Sequence, residues 1–190
     1  MRIVLASASP RRKELINLIS DDVLICPAES QEVIPSGIRM EKIPEHLSFV
    51  KAFEVSLKYP EEIVIGCDTA VFLGNKILGK PKDEKDAFKM LKSLSGKTHK
   101  VISGVTIIKG KRAVSFSEKT KVYFRKLNDA EIEEYIKTKE PMDKAGGYGI
   151  QGKGTFFVKK IKGDYFNVVG FPVSKIQKTL KEKYYELNSK

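Results

Sequence analysis

Short apolar runs alternate with stripes of helical period along this chain, and that order predicts an α/β fold. Ile3-Val4-Leu5 is a β-favouring run and predicts a first strand. Ser9-Pro10 then reads as the N-cap and first position of a helix. Leu15, Ile16, Leu18 and Ile19 follow at helical spacing. Asp21-Asp22 breaks that pattern, and Val23-Leu24-Ile25-Cys26 predicts a second strand that Pro27 ends. Residues 28–44 are loop-like, with Pro35, Gly37 and Pro44. A helix is expected from near Pro44 to about Tyr59, with Leu47, Val50, Val55 and Leu57 available for burial.

Ile63-Val64-Ile65-Gly66-Cys67 has the continuous apolar character of a buried strand. Asp68-Thr69 interrupts it, Ala70-Val71-Phe72-Leu73 continues extended, and Gly74-Asn75 turns the chain into a hairpin. Asp83 caps a helix with Ala87, Met90, Leu91 and Leu94 on one face, and Gly96 stops it. Two β segments, 99–108 and 113–124, flank the turn at Gly110-Lys111. Asn128 and Glu131 form a capping-box pattern with a Leu127–Ile132 staple, predicting a helix to about Thr138. Five glycines lie between Gly146 and Gly154. A last strand pair is expected at Thr155–Ile161 and Tyr165–Val169 around Gly163-Asp164, then a helix opened by Pro172 with Val173, Ile176, Leu180 and Tyr184 inward. No repeat or linker divides the chain, so a single domain over residues 1–190 is expected, with room for two lobes.

Composition narrows the function classes. No apolar run reaches the length of a membrane span, and residues 1–6 are too short for a signal-peptide core. A cytoplasmic protein is therefore expected. Cys26 and Cys67 make no disulfide framework, and His46 and His99 lie too far apart in sequence to suggest a zinc site. The net charge of +11 invites a nucleic-acid reading. The lysines, however, are spread along the chain among acidic residues, and no aromatics interleave with a basic block. A solvated lysine surface and an anionic small substrate both remain open.

Three stretches carry candidate chemistry. Ser7 to Arg12 puts hydroxyls and two arginines at a helix start, which suits a phosphate as well as it suits a capped helix with a solvated basic turn. It is not a P-loop, since no Gly-Lys-Ser/Thr ending is present. Asp68 lies within β structure, where aspartate is disfavoured, at the end of an apolar run where α/β proteins place ligands. It is a candidate base or metal ligand. The glycine-rich stretch, interrupted by Tyr148, Ile150 and Gln151, reads as a loop lining a site rather than a linker.

These stretches occur together and in order in one family. Ala6-Ser7-Ala8-Ser9-Pro10-Arg11-Arg12, Lys51-Ala52, Gly66-Cys67-Asp68-Thr69, Gly79-Lys80-Pro81, Leu94-Ser95-Gly96-Lys97-Thr98-His99 and Asp143 to Gly152 resemble the Maf family of nucleoside triphosphate pyrophosphatases. The resemblance implies an α/β fold with a mixed, twisted sheet flanked by helices and two lobes around a central cleft. It implies hydrolysis of a nucleoside triphosphate to the monophosphate and pyrophosphate with a divalent cation, Mg²⁺ or Mn²⁺, in a homodimer. Asp68 matches the proton acceptor. Arg11, Thr69 and Gln151 match positions linked to substrate choice, and Ser7, Arg12, Glu32, Lys51 and Lys80 match other residues of the cleft. Glu32 and Asp68 would hold the metal. Tyr148-Gly149-Ile150-Gln151-Gly152 resembles the branch acting on dTTP and UTP, rather than the branch acting on 7-methyl-GTP. Two departures stand out: Gln31 precedes Glu32 where an acidic residue is usual, and Ser48 replaces alanine in the helix before Lys51. A basic nucleic-acid binder and a non-enzymatic protein of septum formation are the rival readings.

Overall fold

In the computed structural model, which describes residues 2–29 and 31–185, strands and helices follow one another in the order β1 (Ile3–Ala6), α1 (Pro10–Ile16), β2 (Val23–Ile25), α2 (Ile43–Lys58), β3 (Ile63–Leu73), β4 (Lys76–Leu78), α3 (Glu84–Leu94), β5 (Thr98–Lys109), β6 (Arg112–Phe124), α4 (Asp129–Lys137), β7 (Val158–Lys162), α5 (Tyr165–Val169) and α6 (Val173–Leu180). The strands form a seven-stranded mixed sheet in the order β2-β1-β3-β5-β6-β7, with β4 on β3. The chain divides into two compact units, one comprising Met1–Asp68, Ser103–Glu118 and Gly170–Lys190, the other Thr69–Ile102 and Lys119–Val169.

In the first unit β1 is paired in parallel on both sides, Ile3 with Val23 of β2 and with Ile63 of β3. β1 is thus the strand at which the chain reverses its direction of winding, the position where open α/β sheets place a ligand beyond their carboxyl ends. Val4, Ala6, Val64 and Ile108 pack with Ala52 and Val55 of α2. The buried Ser48 is accommodated by hydroxyl partners: its Oγ donates to the Glu45 carbonyl at 2.7 Å and shares a 2.9 Å hydrogen bond with Thr106, which in turn meets Ser115 at 2.8 Å. On α6, Val173, Ile176 and Leu180 are buried, and beyond it the Tyr184 hydroxyl donates to the Ile107 carbonyl at 2.7 Å.

Two expectations in this unit need correction. α1 ends at Ile16, leaving Leu18 exposed beyond it, and Ser9 occupies the N-cap position without a side-chain cap bond. Leu57 is 69% exposed rather than buried. It shares a stripe with Phe49 and Phe53 on the side of α2 away from Leu47, Ala52 and Val55.

The second unit is built on the β3–β4 hairpin, with Val71 opposite Leu78, and on the antiparallel β6–β7 pair. Ala87, Leu91 and Leu94 of α3 join Ile132, Tyr135 and Ile136 of α4 in its core. The capping box of α4 is present in both halves, Asn128 accepting from the Glu131 amide and Glu131 from the Asn128 amide. The expected final strand pair is corrected in both members. Thr155 to Phe157 belong to a 3₁₀ turn, and only Val158–Lys162 pair with β6, across a register shift at Tyr123/Phe124. Tyr165–Val169 is a helix. Asp164 Oδ1 accepts from the Phe166 amide at 2.8 Å, and the buried Asn167 side chain donates to the Val101 carbonyl at 3.1 Å and Thr120 Oγ1 at 3.0 Å. Those bonds override a β-favouring composition.

His99 is buried in this unit, its Nε2 2.7 Å from the Tyr148 hydroxyl and its ring edge-on to Phe124. Burial lowers its pKa from 6.5 to about 4. The unfolded chain therefore takes up this proton near pH 6.5, while the folded chain resists it to about pH 4. The stabilisation is complete above pH 6.5 and is lost as pH falls through that window, by about 3 kcal/mol for a shift of this size. Denaturant midpoints at pH 7 and pH 4.5 should separate less in a His99→Gln variant than in the parent; an equal separation would show that another group governs the acid limb.

Candidate functional site

The register of β1 against β3 sets Ala6 opposite Gly66, so Ser7 leaves one strand where Cys67 and Asp68 continue the other. The buried Ser7 accepts through Oγ from the Ser9 amide at 3.3 Å and from Arg12 Nη1 at 3.2 Å. Arg12 Nη1 also donates to the Cys67 carbonyl at 2.7 Å, and Nε donates to the Gly170 carbonyl at 2.9 Å. Cys67 Sγ reaches that same Gly170 carbonyl at 3.2 Å. Arg12 thus ties the end of β1, the middle of β3 and the segment before α6. Arg11 is half-buried one position earlier, in the first turn of α1.

Lys51 extends from α2 to the same strand. Its Nζ lies 2.6 Å from Asp68 Oδ1 and 2.7 Å from Glu32 Oε1. The Lys51 and Asp68 side chains are 18% and 15% exposed, whereas Glu32 is 55% exposed, so the first pair is the better shielded from solvent. Burial alone lowers the Lys51 pKa. The charge and hydrogen bond of Asp68, then those of Glu32, more than offset it, and the net shift is upward. This raised pKa keeps the ammonium charged at neutral pH and its contribution to stability intact until strongly alkaline pH. Lys51 is therefore a fixed cation and not a base.

No group of three or more His, Cys, Asp and Glu side chains suited to a metal occurs among the described residues. What the structure does contain is two carboxylates converging on one positive charge. That donor set fits a hard, oxygen-seeking cation that takes its remaining ligands from water and phosphate, as Mg²⁺ usually does.

The other sequence-derived candidates belong to the second unit. Thr69 is half-buried in β3. Lys80 is exposed just after β4, and the neighbouring Gly79 carbonyl accepts from the Gly146 amide at 2.9 Å. Gly146 and Gly147 both take positive φ, and a Cβ at Gly146 would press on Val71 from about 3.0 Å. The segment bearing Lys80 and the glycine-rich loop are therefore joined backbone to backbone. Gln151 is exposed in that loop. The first unit thus gathers Ser7, Arg12, Glu32, Lys51 and Asp68, and the second joins the segments that carry Lys80 and Gln151.

Sequence reasoning missed the carbonyls of Cys67 and Gly170, which carry no side-chain signal. It also missed Tyr135 and Glu140, whose side chains hydrogen-bond to each other at 2.9 Å and accept from the Gly149 and Lys153 amides of the glycine-rich loop. Glu140 precedes a proline ahead of a glycine-rich stretch, a placement that could have flagged it.

The sequence model of a family described as Maf-like protein matches residues 2–183. The chain is 50% identical over 184 residues, 96% of its own length and 98% of the relative's, to a protein named dTTP/UTP pyrophosphatase from Carboxydothermus hydrogenoformans. It is 51% identical over 176 residues, 93% of this chain and 90% of the relative, to a protein of the same name from Thermosipho africanus. A solved HAM1 protein from Coxiella burnetii matches with a TM-score of 0.54 at 13% identity, over 96% of this chain and 99% of that one, a likeness of fold alone.

Proposed function

Because the chain belongs to the Maf family, we propose that it hydrolyses dTTP and UTP to the nucleoside monophosphate and pyrophosphate, removing non-canonical or excess pyrimidine nucleotides. The observation that carries this reading is the Lys51–Asp68–Glu32 cluster beyond the parallel β1–β3 pair, in a chain half identical to proteins bearing that name. Residues 1–190 act as one functional domain in this reading.

In the reaction, water attacks the α-phosphorus and the bond from that phosphorus to the bridging oxygen breaks, so pyrophosphate leaves. Phosphoryl chemistry of this kind is catalysed mainly by position and fixed charge. Arg11, Lys51 and Lys80 supply positive potential toward the phosphates. Arg12 holds Ser7 and the Cys67 carbonyl in place, and so the strand that carries Asp68. Asp68 accepts the proton of the attacking water or serves as a metal ligand. Mg²⁺ or Mn²⁺ held by Asp68 and Glu32 would supply neutralisation of phosphate charge. Thr69 and Gln151 face the choice of nucleotide. The Gln151 amide offers one donor and one acceptor, matching the O4 and N3–H of uracil and thymine.

Steady-state assays with dTTP, UTP, CTP and 7-methyl-GTP test this. The first two should be preferred by about tenfold or more over CTP, the scale of discrimination that polar contacts readily provide. Preference for 7-methyl-GTP would assign the chain to the other branch, and activity undiminished by EDTA would remove the metal from the mechanism. Salt-sensitive nucleic-acid binding without hydrolysis would favour a different protein altogether.

A homodimer and a cytoplasmic location belong to the same reading. No helix among the described residues is long and apolar enough to cross a membrane. Phe49, Phe53 and Leu57 form an exposed stripe on α2, with the two phenylalanine rings stacked 5.7 Å apart. A second copy related by a two-fold axis can cover such a self-complementary stripe. Sedimentation at micromolar concentration should give a dimer and Phe53→Glu a monomer; a monomeric parent chain would refute the pairing. Recovery of the native protein with membranes after cell fractionation would refute the location.

A further inference from the structure

An amide that selects uracil or thymine can, once flipped, pair with cytosine. Base selection by Gln151 therefore requires that its loop be held. One carboxylate does the holding. Glu140 Oε1 accepts from the Tyr135 hydroxyl at 2.9 Å and from the Gly154 amide at 3.4 Å, while Oε2 accepts from the Lys153 amide at 2.9 Å. The Tyr135 hydroxyl, in donating to Glu140, also accepts from the Gly149 amide at 3.1 Å. Backbone amides on both sides of Gln151 thus converge on the Tyr135–Glu140 pair.

Three glycines of the loop lie close against this pair, Gly152 closest of all. A Cβ at Gly152 would stand 2.5 Å from both Glu140 carboxylate oxygens. A Cβ at Gly149 would stand 2.9 Å from Glu140 Oε1, and one at Gly154 2.9 Å from the Tyr135 hydroxyl. The main chain that bears this carboxylate is anchored as well. Lys144 Nζ donates to the Glu140 carbonyl at 2.7 Å, the Glu140 amide donates to Thr138 Oγ1 at 3.2 Å, and the preceding Lys139 takes a left-handed φ of 61°. A non-glycine residue held there indicates a backbone fixed by its surroundings. Tyr135 is seated by its ring, edge-on to Phe157 at 4.9 Å. Burial first, and the Glu140 carboxylate as well, push its pKa upward, so the hydroxyl stays a donor.

We propose that Glu140, acting with Tyr135, is the positioning residue that fixes the Gln151 loop and thereby sets the choice of base. The inference rests on the reading of Gln151 as the base-selecting residue. Glu140 need not touch the nucleotide; it acts through the amides of Gly149, Lys153 and Gly154.

Two variants of the full chain test it. Glu140→Gln replaces one acceptor oxygen with a donor, and Tyr135→Phe removes the link to Gly149 while keeping the ring. In each, KM for dTTP should rise about tenfold and the dTTP-over-CTP ratio of kcat/KM fall about tenfold, with kcat for dTTP within about threefold of the parent, as expected for a misplaced binding group. The double variant should be no worse than the more affected single one, because the two residues act as one network. Amide exchange at Gly149, Lys153 and Gly154 in the free protein provides a readout independent of any substrate and should quicken in Glu140→Gln. An unchanged dTTP-over-CTP ratio in folded variants, or an equal loss with every nucleotide, would overturn the selection role. Unchanged exchange would overturn the tether. A parent chain inactive on dTTP and UTP would overturn the underlying reading instead, and the exchange result would still decide whether Glu140 holds the loop.

Discussion

Asp68→Asn should leave the fold intact and reduce pyrophosphate release by about three orders of magnitude or more, the scale lost with a general base or a metal-binding carboxylate. Asparagine keeps the shape of the side chain and can still accept from Lys51. What it loses is the charge that helps hold the Lys51 ammonium and any capacity to take a proton from water. The chain should still fold because Glu32 remains 2.7 Å from Lys51 Nζ and continues to pair it. Circular dichroism with a thermal melt, beside a pyrophosphate assay, separates the two effects, and near-parent turnover in a folded variant would defeat the assignment. The same variant discriminates between the roles open to Asp68. An amide oxygen is a weaker ligand than a carboxylate, so activity that climbs as Mg²⁺ or Mn²⁺ is raised identifies the ligand role. Activity that stays flat identifies the base. Glu32→Gln provides the contrast: a shared metal-holding role predicts a similar dependence on cation concentration there, whereas a base at Asp68 alone does not.

The parts of the fold that were legible in the sequence are those fixed by local chemistry. The capping box at Asn128 and Glu131 is present bond for bond because it requires only residues three apart. β3 was legible because a continuous apolar run is long enough to be a buried strand, and Asp68 stood out because an aspartate inside such a strand needs a reason. Tyr165–Val169 was not legible. Its aromatic and β-branched residues describe a strand, and the helix depends on where Asn167 finds Val101 and Thr120, 66 and 47 residues away. The same limit applies to the site. Sequence marked Asp68 by its place in a strand and Lys51 and Glu32 by resemblance, but nothing in their spacing states that one ammonium lies between two carboxylates. Nor does it show that Arg12 turns its guanidinium to the Gly170 carbonyl, 158 residues on, rather than leaving the whole of it to a phosphate. The proline and glycines that follow Glu140 mark its neighbourhood, but the amides folded around its carboxylate, which make it a hub, leave no mark in the sequence.

Gly66→Ala should be the most damaging small substitution near the site, lowering stability by about 3 kcal/mol and activity by about a hundredfold, through overpacking and a displaced catalytic pair. A Cβ at Gly66 would stand 2.3 Å from the Ser48 carbonyl oxygen, 2.7 Å from the Ala52 amide nitrogen and 2.8 Å from Ala52 Cβ. Two of these three contacts are backbone atoms of α2, so no side-chain rotation relieves them. Gly104 of β5 makes the same demand earlier in the helix, where a Cβ would stand 2.2 Å from the Glu45 amide nitrogen and the Pro44 carbonyl. α2 is thus seated directly on strand backbone at two points. Lys51 precedes Ala52 in that helix, and Asp68 lies two residues beyond Gly66, on the same face of β3. The 2.6 Å separation of Lys51 from Asp68 is therefore a consequence of how closely the helix is allowed to approach. A helix pushed outward carries Lys51 away from both carboxylates, leaving charges that were placed for one another incompletely paired. Gly79→Ala is the matched control, since a Cβ there enters open space and Gly79 does not take a positive φ. If Gly66→Ala matches Gly79→Ala in both melting temperature and turnover, the close approach of α2 is not what sets the pair.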